Sequence, residues 1–117
     1  MTSNPECLFC KIVAGKIDAD IVHENDSAIA FRDINPQAPT HILIIPRHHV
    51  ATINDLTESE ASDVGRLFLA AKEVAKMEGL EERGYRVVMN CMEGAGQSVF
   101  HVHLHLLGGR QLRWPPG

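Results

Sequence analysis

Apolar residues recur along this chain with two different periods, and each period predicts a different kind of element. In LFCKIVAG they fall at helical spacing, and Gly15 is a suitable end for a short helix. A longer helix is predicted over 58–77, because its apolar residues share one face and Gly79 follows. Thr57 and Glu60 match the capping box that begins many helices. The apolar face consists of Val64, Leu67, Phe68, Ala71, Val74 and Ala75.

Short apolar segments bounded by turn residues predict the strands of a sheet. IVHEN and AIAFRD flank a turn at Asn25 and Asp26, and HILIIP is a continuous apolar run that ends at Pro46. YRVVMN and VFHVHLHLL complete the predicted strands, while INPQAPT and EGAGQS are predicted loops. The order of helix, strands, long helix and strands is typical of an α+β domain with a mainly antiparallel sheet.

Length and composition fit one domain with a substantial core. The chain has 117 residues, of which 44% are hydrophobic, and it shows no repeat or linker, so a single domain over residues 1–117 is expected. The net charge of −4 gives no basic field for a nucleic-acid partner. With no apolar stretch near the roughly 18 residues of a membrane helix and no export signal, we expect no membrane partner and a cytoplasmic location. The 3 cysteines are an odd number, which disfavours structural disulfides.

The segment HVHLHLL places His101, His103 and His105 at alternate positions with apolar residues between them. On a strand these rings would share one face, with neighbours about 6.6 Å apart and the outer two about 13 Å apart. Two of them can converge on one metal ion, whereas three would be strained across that span. A polar face on an edge strand is the simpler alternative. A division of roles among the rings fits the spacing better than one shared metal.

A glycine-rich loop directly precedes these histidines. Gly94 and Gly96 allow backbone N–H groups to turn inward and form a concavity that binds anions, and Ser98 adds a hydroxyl. Alone, such a segment is usually just a turn. Beside the histidines it suggests an imidazole that attacks phosphorus, because much of a histidine population is neutral and nucleophilic near pH 7.

At this point the chain resembles a known family. HVHLHLL matches the His-φ-His-φ-His-φ-φ signature (φ is apolar) of the histidine triad (HIT) superfamily. DINPQAPTHILIIP and GAGQSVFHVHLHLLGGRQLRWPPG resemble its histidine triad nucleotide-binding branch, and the similarity runs from about Cys7 to Gly117. The resemblance implies a HIT-like fold, a five-stranded antiparallel sheet with one long and one short helix. It also implies a homodimer with a continuous ten-stranded sheet, in which the tail 108–117 contributes to the dimer and reaches the active site; a frayed terminus is the alternative.

The resemblance further implies a hydrolase of purine nucleoside phosphoramidates, of the adenosine 5′-monophosphoramidase type, that also binds purine nucleoside monophosphates. His103 matches the nucleophile that forms a covalent nucleotidyl-histidine, and that chemistry needs no cofactor. His41 matches a supporting histidine, and His105 and Ser98 match groups at the phosphate or the leaving group. The residues that match the nucleotide site are Leu8, Phe9, Ile12, Ile17, Phe31, Asp33, Ile34, Asn90, Gly96, Gln97, Ser98, His103 and His105.

Several of these matched residues also have simpler interpretations. In the family, the residue matched by Asp33 accepts hydrogen bonds from the ribose hydroxyls, but Asp33 also suits the turn before Asn35-Pro36. Gln97 is expected, with Ser98 and nearby backbone N–H groups, to stabilise charge on phosphate oxygens. Asn90 can simply end a strand. By periodicity alone, the apolar wall residues would be assigned to the core.

CLFC has the C-x-x-C spacing that is common in zinc sites, although one such pair supplies only two of the four ligands. In some relatives a histidine after the IIP strand and the first triad histidine complete it. The resemblance therefore implies a structural zinc site made by Cys7, Cys10, His49 and His101. The alternative is that Cys7 and Cys10 are small buried side chains with free thiols.

The chain departs from the family pattern in three places. Asp18 stands where many members carry proline, His23 replaces a common aromatic residue, and CMEGAG differs in detail from close relatives. Such changes can alter base selectivity or loop stiffness. Two other functions stay open on the sequence alone, a dinucleoside polyphosphate hydrolase of a sister branch and a non-enzymatic zinc- or nucleotide-binding adaptor.

Overall fold

The computed structural model describes residues 3–117, which form two α-helices, five strands and three short 3₁₀ helices. The α-helices and strands, in chain order, are α1 Leu8–Val13, β1 Ile21–Glu24, β2 Ala28–Arg32, β3 Thr40–Pro46, α2 Ala61–Met77, β4 Tyr85–Val88 and β5 Leu104–Gly108. The 3₁₀ helices are Ile53–Asp55, Glu58–Glu60 and Glu93–Ala95. Within this range, none of the helices is long and apolar enough to cross a membrane.

The five strands form one antiparallel sheet in the order β1-β2-β3-β5-β4. The predicted turn between β1 and β2 is confirmed: Oδ1 of Asn25 accepts the N–H groups of Ser27 at 2.8 Å and Ala28 at 2.9 Å. The last strand, β5, lies between β3 and β4, so residues from the middle and the end of the chain become neighbours. The predicted α+β fold with a five-stranded antiparallel sheet is therefore confirmed.

Side chains of the central strands alternate between two cores. On one face, Ile42 and Ile44 of β3 pack with Leu104 and Leu106 of β5 against the buried stripe of α2. On the other face, Leu43 and Ile45 pack with the buried side of α1 and the two cysteines beside it. Both faces of β3 are covered, and this is why HILIIP is apolar at almost every position rather than at every second one.

The long helix begins later than the periodicity predicts. Glu58–Glu60 forms a 3₁₀ turn with the expected capping box, and the α-helix starts at Ala61. Phe68 was predicted on the buried face but is 51% exposed, because it lies about 100° around the helix from the fully buried Leu67, at the side of the buried stripe. That stripe consists of Leu67, Ala70, Ala71, Val74 and Ala75.

The last strand is shorter than predicted, and the expectation of three histidines on one strand face is wrong. β5 begins at Leu104, so His101 and His103 precede it in an irregular segment. That segment pairs with the chain after β3 instead of extending the ladder, since the N–H of Val102 donates to the carbonyl of Val50 at 2.8 Å. The rings are thereby free to point in different directions.

Candidate active site and metal centre

Strands β3 and β5 bring two distant histidines into contact. His41 is the second residue of β3 and His105 is the second residue of β5, and the antiparallel register pairs Leu43 with His105. Residues two apart on a strand share a face, so His41 lies on the same face as His105. Their ring centroids are 5.2 Å apart.

A chain of hydrogen bonds fixes the tautomer of both rings. The backbone N–H of Gln37 donates to Nδ1 of His41 at 3.0 Å, so that nitrogen carries no proton in the neutral ring. Nε2 of His41 then carries the proton and donates to Nδ1 of His105 at 2.9 Å. As a result, neutral His105 holds its own proton on Nε2. A carboxylate oxygen of Asp33, 3.4 Å from Nε2 of His41, orients the same proton.

His103 is held in the other tautomer. Its Nδ1 lies 2.7 Å from the carbonyl oxygen of His101, which can only accept, so Nδ1 is the donor. Nε2 of His103 is therefore left with a free lone pair. The ring is 6% exposed and packs edge-on against Phe9, with 5.0 Å between the centroids. A fixed, unprotonated imidazole nitrogen of this kind is a nucleophile.

Burial keeps these rings neutral near pH 7. It lowers the pKa of His103 and of His41, and it lowers the pKa of His105 to about 4, helped by the neighbouring His103 and His41. The carboxylate of Asp33 acts in the opposite direction on all three rings, but burial is the larger effect. The cluster thus offers one free lone pair and one imidazole N–H to a ligand rather than a set of cations.

A cavity of about 580 Å³ opens beside these rings. Nine of its 16 lining residues are apolar and the rest are polar or charged, a mixture that suits a small-molecule site. The residues that line it are Leu8, Phe9, Ile12, Ile17, Asp18, Ala19, Asp20, Phe31, Arg32, Asp33, Ile34, Leu43, Ser98, Val99, His103 and His105.

The cavity brings together all of the predicted nucleotide residues except Asn90, Gly96 and Gln97. His41 reaches the cavity only through its bond to His105. Gly96 has its N–H bonded to the carbonyl of Glu93 at 2.9 Å. The roles assigned to these residues from the family resemblance stay predictions.

Gln97 is 4% exposed, and its side chain is committed to the backbone. Nε2 donates to the carbonyls of Ala51 at 2.8 Å and Val99 at 3.2 Å, and Oε1 accepts the N–H of Met92 at 2.7 Å. Its own N–H donates to the carbonyl of Met92 at 3.1 Å. In this structure Gln97 holds the glycine-rich loop in place by hydrogen bonds, and it has no N–H left to donate to a phosphate. Ser98, the next residue, lines the cavity.

Sequence reasoning missed several residues of the cavity wall. Leu43 was detectable, because it shares the face of β3 with His41. Arg32 and Val99 carry no signal that separates them from ordinary strand and loop residues. Asp18 was visible only as a departure from the family pattern. The complete set of missed residues is Asp18, Ala19, Asp20, Arg32, Leu43 and Val99.

On the other side of Phe9, the predicted metal ligands converge. The ligand atoms of Cys7, Cys10, His49 and His101 all lie within 4.8 Å of one another. Nδ1 of His101 is 3.4 Å from Sγ of Cys7 and 3.6 Å from Sγ of Cys10, and Nδ1 of His49 is 3.4 Å from Sγ of Cys10. In a tetrahedral zinc site, bonds of about 2.3 Å to sulfur and 2.0–2.1 Å to nitrogen place sulfur and nitrogen about 3.6 Å apart.

The surroundings also suit metal-bound thiolates. The backbone N–H of Asn4 points to Sγ of Cys10, and the N–H of Cys10 points to Sγ of Cys7, each at 3.4 Å. Nε2 of His101 donates to the carbonyl of Pro46 at 3.0 Å, which leaves Nδ1 free to face the sulfurs. The donor set and its spacing therefore fit a closed tetrahedral ion with sulfur and nitrogen ligands.

A second cluster has side chains that could ligate a metal, Asp33, His41 and His105, but its hydrogen bonds oppose metal binding. To bind an ion through Nε2, His41 would have to carry its proton on Nδ1. That nitrogen faces the N–H of Gln37 at 3.0 Å and cannot hold a proton without breaking the hydrogen bond. This cluster is a hydrogen-bonded relay and not a metal site.

Comparisons with known proteins agree with this geometry. The chain matches the family model described as HIT domain over residues 14–112. It is 49% identical over 107 residues to the purine nucleoside phosphoramidase of Escherichia coli K12. The aligned residues are 92% of this chain and 90% of that protein. It is also 49% identical over 112 residues to an uncharacterized HIT-like protein of Synechococcus elongatus, covering 96% of this chain and 97% of that protein.

Solved structures show the same fold. A HIT family hydrolase from Legionella pneumophila superposes with a TM-score of 0.93 at 55% identity, covering 96% of this chain and 100% of that one. A histidine triad protein from Clostridium difficile superposes with a TM-score of 0.92 at 38% identity, covering 96% and 97%.

Proposed function

This chain belongs to the HIT family, and we propose that it is a purine nucleoside phosphoramidase that cleaves a P–N bond through a covalent nucleotidyl-histidine. The observation that carries the proposal is the 2.7 Å hydrogen bond from Nδ1 of His103 to the carbonyl of His101. It leaves the lone pair of Nε2 on a ring that lines the cavity, where an α-phosphorus would be attacked.

In the proposed reaction, Nε2 of His103 forms a bond to the α-phosphorus and the bond from phosphorus to the amine breaks. The leaving nitrogen takes a proton from solvent through the hydroxyl of Ser98. Water then attacks the phosphorus, the bond from phosphorus to Nε2 of His103 breaks, and the proton of the water passes to solvent. The nucleoside monophosphate leaves and His103 is regenerated. The two steps replace one difficult displacement, which is the advantage of covalent catalysis.

His105 acts in this scheme as a hydrogen-bond donor rather than as a general acid. Its pKa of about 4 keeps it neutral, and its Nδ1 is occupied by the proton of His41. Giving up the proton on Nε2 would leave an anionic ring, so Nε2–H instead stabilises charge on a phosphate oxygen. His41 is a positioning residue that sets this tautomer.

The rest of the cavity supports a nucleoside. Asp33 lines the cavity with a carboxylate oxygen 3.4 Å from Nε2 of His41, and this carboxylate can accept hydrogen bonds from ribose hydroxyls. Phe9 and Phe31 pack edge-on at 5.5 Å and form a rigid apolar wall for a purine. Ile34 is 101% exposed, so its contact with a base would exclude water that otherwise surrounds it.

We further propose that Cys7, Cys10, His49 and His101 hold a structural zinc ion. When bound, the ion ties α1 to the chain after β3 and to the segment that carries His103, and it takes no part in the chemistry. The spacing of sulfur and nitrogen atoms supports this assignment.

A homodimer is proposed through the free edge of β4. Trp114 in the tail is 80% exposed and lies 6.0 Å from the guanidinium of Arg86 in β4, whose side chain also donates to the carbonyl of Arg113. On α2, Phe68 and Leu69 are exposed by 51% and 60%. An edge strand with an exposed aromatic residue beside it, together with exposed apolar residues elsewhere on the surface, suits a continuous sheet with a second copy.

Turnover of a fluorogenic purine nucleoside phosphoramidate tests the proposed function. We expect hydrolysis by the wild type, loss of at least about a thousandfold in kcat for His103→Ala, and little change for the control Lys72→Ala on the exposed side of α2. A nucleotidyl adduct on His103, preserved by quenching in alkaline denaturant and located by mass spectrometry, is expected for the wild type alone. Full activity of His103→Ala would disprove the assignment of the nucleophile.

A further inference from the structure

The proposed nucleotide site has a direction that locates the base. If the phosphate is at His103 and the ribose at Asp33, the base lies on the far side of Asp33, because the ribose lies between the phosphate and the base in every nucleotide. The backbone N–H of Arg32 donates to the carbonyl of Asp20 at 3.0 Å, so the segment 17–20 lies along the end of β2. Residues 17–20 all line the cavity, so the outer edge of a base bound in this position would face this segment.

Most polar groups at that end of the cavity are already engaged. The guanidinium of Arg32 donates to both carboxylate oxygens of Glu78, at 3.0 and 3.1 Å, and its Nε lies 3.8 Å from the carboxylate of Asp20. The hydrogen bonds and ion pairs among residues 3–117 leave the carboxylate of Asp18 free, although Asp18 lines the same cavity. A ligand therefore meets an acceptor-only group there.

The two purines present opposite patterns to such a group. Guanine carries two neighbouring donors, N1–H and the N2 amino group, which match the two oxygens of a carboxylate. Adenine places the lone pair of N1 in the same position, and this lone pair repels a carboxylate. We infer that Asp18 is a specificity-determining residue that makes the protein prefer guanosine over adenosine substrates. This inference rests on the proposed function and adds the base to it.

The size of the preference follows from the chemistry of the pair. Hydrogen bonds to a charged group discriminate more strongly than neutral ones, and a site built for donors rejects a ligand that lacks them. Solvent reaches Asp18, which weakens the effect. We expect kcat/KM for a guanosine phosphoramidate to exceed that for the adenosine analogue by about tenfold.

The test compares guanosine, inosine and adenosine 5′-phosphoramidates of one fluorogenic amine. Inosine keeps N1–H but lacks the N2 amino group, so its kcat/KM should fall between the other two. In Asp18→Asn, whose amide offers both a donor and an acceptor, the preference should fall to within about twofold. Asp26→Asn in the turn between β1 and β2 is the matched control and should keep the wild-type ratio.

A binding measurement separates recognition of the base from chemistry. With the inactive His103→Ala variant, calorimetry should give a smaller Kd for GMP than for AMP, and adding Asp18→Asn should remove the difference. Equal ratios in the wild type and Asp18→Asn would overturn the inference and leave the proposed function intact. If no phosphoramidate were hydrolysed and neither mononucleotide bound, both would be overturned.

Discussion

Replacing Cys10 by serine should remove the metal from the proposed zinc site and lower the thermal stability of the protein. Sγ of Cys10 lies 3.4 Å from Nδ1 of His49 and 3.6 Å from Nδ1 of His101, so it is the thiol in contact with both imidazoles. A neutral hydroxyl does not replace a thiolate as a zinc ligand. Three ligands would remain, and the closed tetrahedron would be lost.

The magnitude follows from mass action. A ligand that binds only the folded state at about 1,000 times its Kd stabilises that state by about 4 kcal/mol. For a domain of this size, each kcal/mol changes the Tm by about 4 °C. The wild type with zinc should therefore melt roughly 15 °C above the same protein stripped by a chelator. Cys10→Ser should melt near the stripped protein and should not respond to added zinc.

Elemental analysis and differential scanning calorimetry together measure this. We expect about one zinc per wild-type chain and close to none in Cys10→Ser. Cys91→Ser is the matched control, because Cys91 lies outside the cluster and its replacement removes a thiol without removing a ligand. Its zinc content and its response to a chelator should equal those of the wild type.

Two results would refute this reasoning. The first is purified wild type with no bound zinc and no change of Tm on adding zinc, which would make Cys7 and Cys10 free buried thiols. The second is a Cys91→Ser variant that loses zinc as Cys10→Ser does, which would place the metal elsewhere.

The remaining predictions concern the fold and its response to pH. Leu106→Ala should lower the free energy of unfolding by about 3 kcal/mol, because the side chain is 0% exposed; a loss under about 1 kcal/mol in denaturant titrations would contradict its place in the core. Gly109→Ala should lower it by about 2 kcal/mol, since φ is +92° and a Cβ would lie 2.8 Å from Cβ of Pro39; an unchanged Tm would be the contrary result. Burial lowers the pKa of His105 to about 4, so between about pH 6.5 and pH 4 the unfolded chain binds a proton that the folded chain excludes. The free energy of unfolding should therefore decrease as the pH is lowered through that window. His105 should contribute about 1 kcal/mol per pH unit to the slope after allowance for solvent, and a slope in His105→Gln that is smaller by about this amount checks the assignment.

The pattern of apolar residues predicted the strands of the sheet well, because that pattern reflects which strand faces are buried. HILIIP is apolar at consecutive positions since both faces of β3 are covered, by α2 on one side and α1 on the other. The turn at Asn25 was predictable for a different reason, because its side chain bonds its own neighbours and needs no distant partner. Strands that leave a burial pattern in the sequence, and turns whose hydrogen bonds are local, could therefore be predicted from the sequence.

Features that depend on distant contacts were not available. Phe68 fits the helical period, but its exposure depends on which side of α2 faces the sheet. Gln97 resembles a phosphate-binding residue in sequence, yet Ala51, far away in the chain, accepts its side-chain amide. The start of β5 at Leu104 likewise reflects bonding of the preceding segment to the chain after β3.

The roles of neighbouring histidines illustrate the same limit, because tautomers are set by the backbone. His101 donates through Nε2 to the carbonyl of Pro46, so its free lone pair is on Nδ1 and faces the thiols. His103, two residues later, donates through Nδ1 to the carbonyl of His101, so its free lone pair is on Nε2 and faces the cavity. The alternation His-Val-His does not distinguish the two rings. Two carbonyl oxygens do, because they leave one ring with a lone pair that faces the thiols and the other with a lone pair that faces the cavity. No spacing rule contains that difference, since it depends on which nitrogen each carbonyl meets.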